Sequence, residues 1–297
     1  MAYRGDDLTV LIFGDTALGL DVARNAALAQ GARVVAALPI AEAPARLDSQ
    51  VYVDLVMIDV HEDHGPLLDG LFGELEGAAR QGRFASIVTI ASHLVDVATA
   101  CLDHENVVML VGRDREALSR ALANMVLRAQ AEPQLREGGD HGEPHLDDSP
   151  YPRMRRSNDH NATIDGGRID ISSIPAGLAA LADQGSVPDA AALRGIIRAR
   201  RLRNQFFGPA LFADPAWDML LDLMVARIEG RSVAVSSLCI AAGVPATTAL
   251  RWIKQLTSIG LLRRVADPGD GRRIFIELTD EAVNSMRDYF SALVDDR

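Results

Sequence analysis

The chain has little of what marks several large classes of protein. It holds only two cysteines, Cys101 and Cys239, both in apolar helical contexts, so a disulfide framework is not expected. It contains no run of about 18 uncharged apolar residues that could span a membrane. Its first residues lack the basic flank and the apolar core of a signal peptide. These absences predict a cytoplasmic protein with reduced thiols and no membrane partner.

Patterns of catalytic and metal-binding residues are missing as well. Histidines and cysteines do not cluster at the spacing of zinc ligands. No recognisable set of nucleophile, base and acid residues is present. The glycine-bearing turn at residues 14–19 lacks the spacing of the common nucleotide-binding loops. The sequence therefore predicts no enzyme, no cofactor and no metal site.

Charge is distributed unevenly along the chain. The net charge is −11, and Lys254 is the only lysine. Residues 1–130 hold ten basic and eighteen acidic side chains, whereas residues 231–273 hold seven basic and two acidic ones. A basic island in an acidic chain predicts a binding site for a polyanion such as DNA.

The basic island lies within a region of alternating helical and extended patterns. Apolar spacing predicts helices at 216–229 and 245–259, with a shorter helix at 237–242 for which Ser236 is the predicted N-cap. Extended runs predict short strands at 232–235, 261–265 and 273–278, the last two joined by the turn-rich tip ADPGDGR. Two helices joined by a glycine-containing turn and followed by a hairpin indicate a winged helix-turn-helix.

This region resembles the winged helix of MarR-type transcription regulators. The likeness is carried by SSLCIAAGVPATTALRWIKQLTSIGLLRR, by DPGDGRR and by IFIELTDEA, and it covers about a quarter of the chain. In that family the wing carries an Asp-x-Arg followed by Leu-Thr, and here Asp270, Arg272, Leu278 and Thr279 stand in those places. The resemblance implies that Arg272 enters the DNA minor groove while Asp270 holds its guanidinium.

The helix at 245–259 is the predicted recognition helix, since a helix fits the major groove of double-stranded DNA. One of its faces is apolar and the other carries donors, of which Arg251 suits guanine and Lys254 suits phosphate. The predicted DNA-contacting residues are Thr247, Thr248, Arg251 and Lys254 on this helix, Ser236 and Ser237 on the preceding one, and Arg264, Arg272 and Arg273 on the wing. A winged helix that serves only protein contacts is the alternative.

The first 130 residues show five strand patterns, each followed by a helical one. The predicted strands are 8–13, 33–38, 54–59, 86–90 and 107–111, and the predicted helices are 18–30, 41–48, 66–80, 94–103 and 115–130. The strands are almost continuously apolar, as in strands buried on both faces. This alternation predicts a flavodoxin-like or receiver-like, doubly wound, five-stranded parallel sheet.

The arrangement resembles the receiver domain of two-component response regulators. Asp59, at the end of the third predicted strand, stands in the place of the phospho-accepting aspartate. Asp15 follows the first strand, but Gly14 occupies the place of a second acid, and the fifth strand is followed by Arg113 without the expected lysine. The resemblance implies a degenerate receiver used for contacts or dimerisation. Phosphorylation at Asp59 is one alternative, and a small ligand, nucleotide or protein partner at this domain is another.

The remaining segments connect these two units. Residues 131–175 are rich in Pro, Gly, Asp, Ser and His and predict a flexible linker, so the predicted domains are 1–130 and 176–297. Residues 188–207 form an amphipathic helical pattern, with Leu193, Ile196, Ile197 and Phe206 on one side and five arginines on the rest. The sequence as a whole predicts a bacterial, homodimeric, sequence-specific DNA-binding regulator of transcription.

Overall fold

The N-terminal domain is a five-stranded sheet with helices on both faces. The computed structural model of the chain describes residues 8–49, 52–135, 188–208 and 211–295. The strands are β1 (Thr9–Gly14), β2 (Arg33–Pro39), β3 (Leu55–Val60), β4 (Ala85–Ile90) and β5 (Val107–Val111), in the order β2-β1-β3-β4-β5, and every neighbouring pair is parallel. The predicted five-stranded parallel sheet is confirmed.

The helices cover the sheet unequally. α1 (Ala17–Ala29) and α5 (Arg115–Leu135) pack on one face, while α2 (Ala43–Ser49), α3 (Pro66–Arg80) and α4 (Val95–Cys101) pack on the other. All residues of β1 and β3 are buried, which explains their unbroken apolar pattern. The strand order reverses between β1 and β3, and in such sheets ligands bind beside the carboxyl ends of these strands.

The C-terminal domain is a winged helix. Its elements are α6 (Ala190–Phe207), α7 (Pro215–Ile228), β6 (Val233–Ala234), α8 (Val235–Ala241), α9 (Ala246–Ser258), β7 (Leu262–Asp267), β8 (Asp270–Leu278) and α10 (Asp280–Asp295). The strands form an antiparallel sheet in the order β6-β8-β7, with β7 and β8 as the hairpin of the wing. No helix among the described residues is long and apolar enough to cross a membrane.

Several predicted boundaries were wrong. The N-cap of α8 is Ala234, so Ser236 lies inside the helix, because the chain turns into α8 directly after Ala234 pairs with Phe275 of β8. Helix α5 continues to Leu135, into the segment predicted as linker. The rest of that linker, residues 136–175, lies outside the described residues.

The two domains share one apolar core. The cluster of buried side chains that fills the α3 and α4 face of the sheet continues into the winged helix. The residues of this contact include Val95 and Ala98 on α4 and Val235, Leu238 and Ile276 in the winged helix, and α4 packs against both α8 and β8. Helix α9 lies against the end of β5. The packing therefore places α9, the predicted recognition helix, and the wing against the N-terminal domain.

Glu76 on α3 is a charged side chain within this core, with 8% of its surface exposed. Its carboxylate accepts the backbone N–H of Asp103 at 2.9 Å and that of His104 at 3.0 Å, and it accepts two bonds from the Arg80 guanidinium at 2.8 and 3.0 Å. Desolvation raises the pKa of Glu76, but these donors outweigh it, and the net pKa is lowered. Glu76 thus holds the loop between α4 and β5.

We expect Glu76→Gln to lower the free energy of unfolding by about 1–3 kcal/mol at pH 7, because an amide accepts these bonds less strongly than a carboxylate. The pKa of Glu76 is lower in the folded state than in the unfolded state. The carboxylate therefore stabilises the fold fully at pH values above the unfolded-state pKa, and this stabilisation is lost as the pH falls through the folded-state pKa. Urea unfolding at neutral and acid pH measures the difference. Exposed Glu42→Gln is the control, and a Glu76→Gln deficit that persists at low pH would contradict the prediction.

Candidate nucleic-acid interface

Helix α9 has the two faces that the sequence predicts for a recognition helix. Its apolar side chains, Ala249, Leu250, Ile253 and Leu256, are all buried in the core of the winged helix. The opposite face carries the four residues of this helix that are predicted to contact DNA. All four, Thr247, Thr248, Arg251 and Lys254, line a cleft of about 620 Å³ between α9 and the surface formed by β5 and α5. The face predicted to meet DNA is therefore turned toward the N-terminal domain.

The wing arginine is bound by two carboxylates of the N-terminal domain. Arg272 Nη2 and Nη1 donate to the two oxygens of Asp63 at 2.7 and 3.0 Å, and Nε donates to Asp69 Oδ1 at 2.8 Å. These bonds lower the pKa of Asp63 and raise that of Arg272. The expected pairing of Asp270 with this guanidinium is not what the structure shows, since Asp270 accepts the backbone N–H of Arg272 at 2.9 Å.

The start of α8 is bound by a third carboxylate. Asp96, on α4, accepts the backbone N–H of Ser236 at 2.9 Å and its hydroxyl at 2.7 Å. These are the groups predicted to bind a DNA phosphate. The neighbouring Ser237 is exposed.

Three more of the predicted residues contact the edge of the sheet or the loop before it. Thr247 Oγ1 accepts the backbone N–H of Val111 at 2.9 Å, and Lys254 Nζ donates to the carbonyl oxygen of His104 at 2.9 Å. Arg264 donates to the carbonyl oxygen of Thr99 and pairs with Asp103. Five of the nine predicted DNA-contacting residues are thus bound by the N-terminal domain, namely Ser236, Thr247, Lys254, Arg264 and Arg272.

Arg273, on the wing, packs against a residue of its own strand. The Arg273 guanidinium lies 5.7 Å from the ring centre of Phe275, on the same strand. Arg251 is exposed. The arrangement leaves Arg251 as the exposed arginine of the recognition helix.

Asp59 lies at the carboxyl end of β3, with 4% of its surface exposed. Arg113 Nη2 donates to Asp59 Oδ1 at 2.9 Å and to Thr16 Oγ1 at 2.6 Å, and His61 Nε2 lies 3.5 Å from Asp59. A Cβ at Gly19 would overlap the Asp59 carboxylate, so this glycine permits the close approach. A phosphoryl donor must reach the accepting oxygen, and the burial and ion pairing of Asp59 both oppose such access.

Asp15 and the loop between β3 and α3 complete this edge of the sheet. Asp15 Oδ2 accepts the backbone N–H of His61 at 2.6 Å and that of Glu62 at 2.9 Å, and it lies 3.5 Å from His64 Nε2. The loop that Asp15 holds continues to Asp63, which binds the wing. Among the described residues, no group of three acidic, histidine or cysteine side chains is arranged to hold a metal ion.

Sequence reasoning missed the N-terminal partners of the predicted DNA-binding residues. These partners include Asp63, Asp69, Asp96 and Asp103, which come from different elements. The only signal for them was the acidic surplus of the first 130 residues. Arg113 was missed as the partner of Asp59 because the resemblance directed attention to a lysine at the end of the fifth strand.

Residues 220–282 match a protein-family model described as a winged helix DNA-binding domain. This match and the observed topology both identify the C-terminal domain as a winged helix. No curated protein matches the chain.

Several solved structures are similar to the C-terminal part of the chain. MepR from S. aureus bound to ethidium bromide is 18% identical, over 34% of this chain and 71% of that one, with a TM-score of 0.25. A mutant of MarR from E. coli complexed with operator DNA is 20% identical, over 35% and 72%, with a TM-score of 0.24. The transcriptional regulator PA3341 is 30% identical, over 35% and 77%, with a TM-score of 0.25.

We expect Arg113→Ala to lower the free energy of unfolding by about 3–5 kcal/mol, because it leaves the buried Asp59 carboxylate without its cation. Adding Asp59→Asn to this variant restores part of the loss, since a neutral amide needs no counter-charge. Chemical denaturation of the single and double variants measures both effects. Arg115→Ala removes an exposed arginine nearby and should change stability by less than about 0.5 kcal/mol. Equal effects of the two arginine variants would refute a structural role for the pair.

Proposed function

We propose that the protein is a sequence-specific DNA-binding regulator of transcription. The observation that carries the proposal is the winged helix, with its apolar core face and a polar face bearing Arg251 on the recognition helix. The family-model match to a winged helix DNA-binding domain supports it, as does the surplus of basic residues in this region of an acidic chain.

The roles proposed for individual residues follow from their positions. Arg251, an exposed arginine on α9, reads a base in the major groove, and Thr247, Thr248 and Lys254 contact bases or phosphates beside it. Ser236, Ser237 and Arg264 contact phosphates. Arg272 enters the minor groove next to the wing, and Arg273 supports it.

We also propose that the protein works as a homodimer, as the two-fold symmetry of most operators requires. Leu193 and Ile196, on the apolar side of the helix predicted at 188–207, are buried within the chain. Exposed apolar side chains cluster at the end of α6 and just after it, namely Leu202, Phe206, Phe207, Leu211 and Phe212. The rings of Phe207 and Phe212 contact each other, with centres 5.7 Å apart, and exposed apolar groups of this kind mark protein interfaces.

The N-terminal domain acts in this proposal as a regulatory domain without catalysis, similar in strand order to a receiver. Asp59 is committed to Arg113, which disfavours the alternative of a phosphorylation-responsive regulator. A second candidate, a protein-interaction scaffold, is favoured by one observation: the predicted DNA-contacting residues of the winged helix bind protein groups in this structure. DNA binding by the full chain, or by a full-length variant with weakened contacts between its domains, separates the two candidates.

We expect Arg251→Ala to weaken specific DNA binding by about 1–3 kcal/mol and to relax the preference at one base position. Arg251 is the informative choice because Arg272 also contacts Asp63 and Asp69. The measurement is selection of bound genomic fragments by the full chain, followed by titration of an enriched site. Arg287→Ala, on the exposed side of α10, removes the same charge and should leave affinity nearly unchanged. If neither the full chain nor a full-length Asp63→Asn and Asp96→Asn variant, which weakens two contacts of the N-terminal domain with the winged helix, enriches DNA, the scaffold replaces the regulator as the conclusion.

We expect Leu202→Glu with Phe206→Glu to convert a dimer into a monomer, because the two side chains are 49% and 74% exposed and form part of the apolar patch. Their exposure means that the fold of the single chain should be retained. Sedimentation velocity measures the change in mass. Leu18→Glu with Leu28→Glu places the same charges at exposed apolar positions of α1 and should leave the dimer intact. A monomeric wild-type protein at the concentrations where it binds DNA would count against the dimer.

A further inference from the structure

We propose that the N-terminal domain carries an acidic surface that occupies the DNA-binding face of the winged helix, so that this surface and DNA compete for the same residues. This inference rests on the proposed function, and it adds how the N-terminal domain inhibits DNA binding. We call the arrangement described above the closed state, and the acidic surface is formed by Asp63, Asp69, Asp96 and Asp103.

Each carboxylate of the acidic surface binds a group that is proposed to contact DNA. Asp63 accepts hydrogen bonds from Nη1 and Nη2 of Arg272, and Asp69 accepts one from its Nε. Carboxylates and phosphates are alternative partners for arginine, because both present paired oxygens to its fork of donors. The Arg272 guanidinium cannot enter a minor groove while both carboxylates hold it.

Carboxylates of the N-terminal domain also bind groups of the helix-turn-helix that are proposed to contact DNA. Asp96 takes the backbone N–H and the hydroxyl of Ser236, and Asp103 pairs with Arg264. Backbone atoms of the N-terminal domain take two further groups on α9, since Thr247 accepts from Val111 and Lys254 donates to His104. The recognition helix, the helix before it and the wing are therefore all engaged at once. β5 and α4 therefore lie against the groups that a DNA duplex is proposed to contact.

The closed state is suited to reversal. The Arg272 side chain is 34% exposed, and those of Asp63 and Asp69 are 42% and 35% exposed. Ion pairs with this much solvent access are weak individually and are screened by salt. These ion pairs can therefore be exchanged for contacts with DNA, whereas the apolar contact between α4 and the winged helix favours the closed state. Anything that favours the open state raises DNA affinity by the same factor by which DNA favours opening.

The test compares full-length proteins that differ in two carboxylates of the acidic surface. Asp63→Asn with Asp96→Asn removes one contact to the wing and one to α8, at nearly constant shape. Asp21→Asn with Asp48→Asn changes the net charge equally at exposed positions on α1 and α2, and so controls for weaker general repulsion of DNA. We expect the first variant to bind duplex DNA at least about tenfold more tightly than the wild type at fixed salt, and the control variant to gain little.

Cys101 supplies a second readout that needs no DNA. It lies on α4 and is partly buried; burial raises the pKa of its thiol, and Asp69 and Arg272 lie close enough for their charges to act on that pKa as well. The test variant leaves Asp69 in place, so faster alkylation reports opening rather than loss of that charge. Cys239, although buried, lies close enough to Asp96 for that charge to act on its thiol, so global unfolding is measured separately, by urea denaturation of the wild type and the variant. We expect Cys101 to be alkylated faster in the Asp63→Asn and Asp96→Asn variant, and in the wild type after DNA is added.

The outcomes separate the inference from the function on which it rests. Tighter DNA binding together with faster Cys101 alkylation supports both. Equal DNA affinity in the wild type, the test variant and the control overturns the competition and leaves DNA binding standing. Faster alkylation in a variant that binds no genomic fragment overturns the proposed function, and the competition with it.

Discussion

The guanidinium of Arg272 joins the two domains at the point where three elements meet. It is held by Asp63 from the loop after β3 and by Asp69 from α3, and it extends from β8 of the wing. With the wing fixed there, β8 lies on α4 and α9 meets the end of β5. The apolar contact between α4 and the winged helix then buries side chains of both domains in one core. A polar anchor and an apolar surface thus define a single mutual orientation.

The loop after β3 has a second function in this arrangement. Asp15 binds the backbone of His61 and Glu62, and Asp63 follows immediately in the same loop. The carboxyl edge of the sheet, where ligands of such folds bind, is therefore connected through two residues of backbone to the wing. A change in the contacts of Asp15 would move the carboxylate that holds Arg272. A displacement at the sheet edge would in this way be transmitted to the wing.

The secondary structure could be predicted from the sequence because each element has a local signal. Buried parallel strands are continuously apolar, and the bounds of α3 and β5 coincide with the predicted ones. Ser236 was misassigned as a cap because an exposed serine at a helix start usually serves that purpose, whereas here a carboxylate from α4 binds it. The pairing of Asp63 with Arg272 joins residues 209 positions apart. No local pattern encodes such a pair, and of the site only the basic face could be predicted.

The single lysine has a consequence for the chemistry of the whole chain. Lys254 carries the one side-chain amine of the sequence. It lies on the predicted recognition helix, and its ammonium group donates a hydrogen bond to the carbonyl oxygen of His104. Acylation of lysine side chains, whether by a cellular acetyl donor or by an amine-reactive dye, would therefore modify one position per chain. The product would be a neutral amide that has lost both the positive charge and two of the three donors. A label attached through this amine would report directly on the surface between α9 and the N-terminal domain.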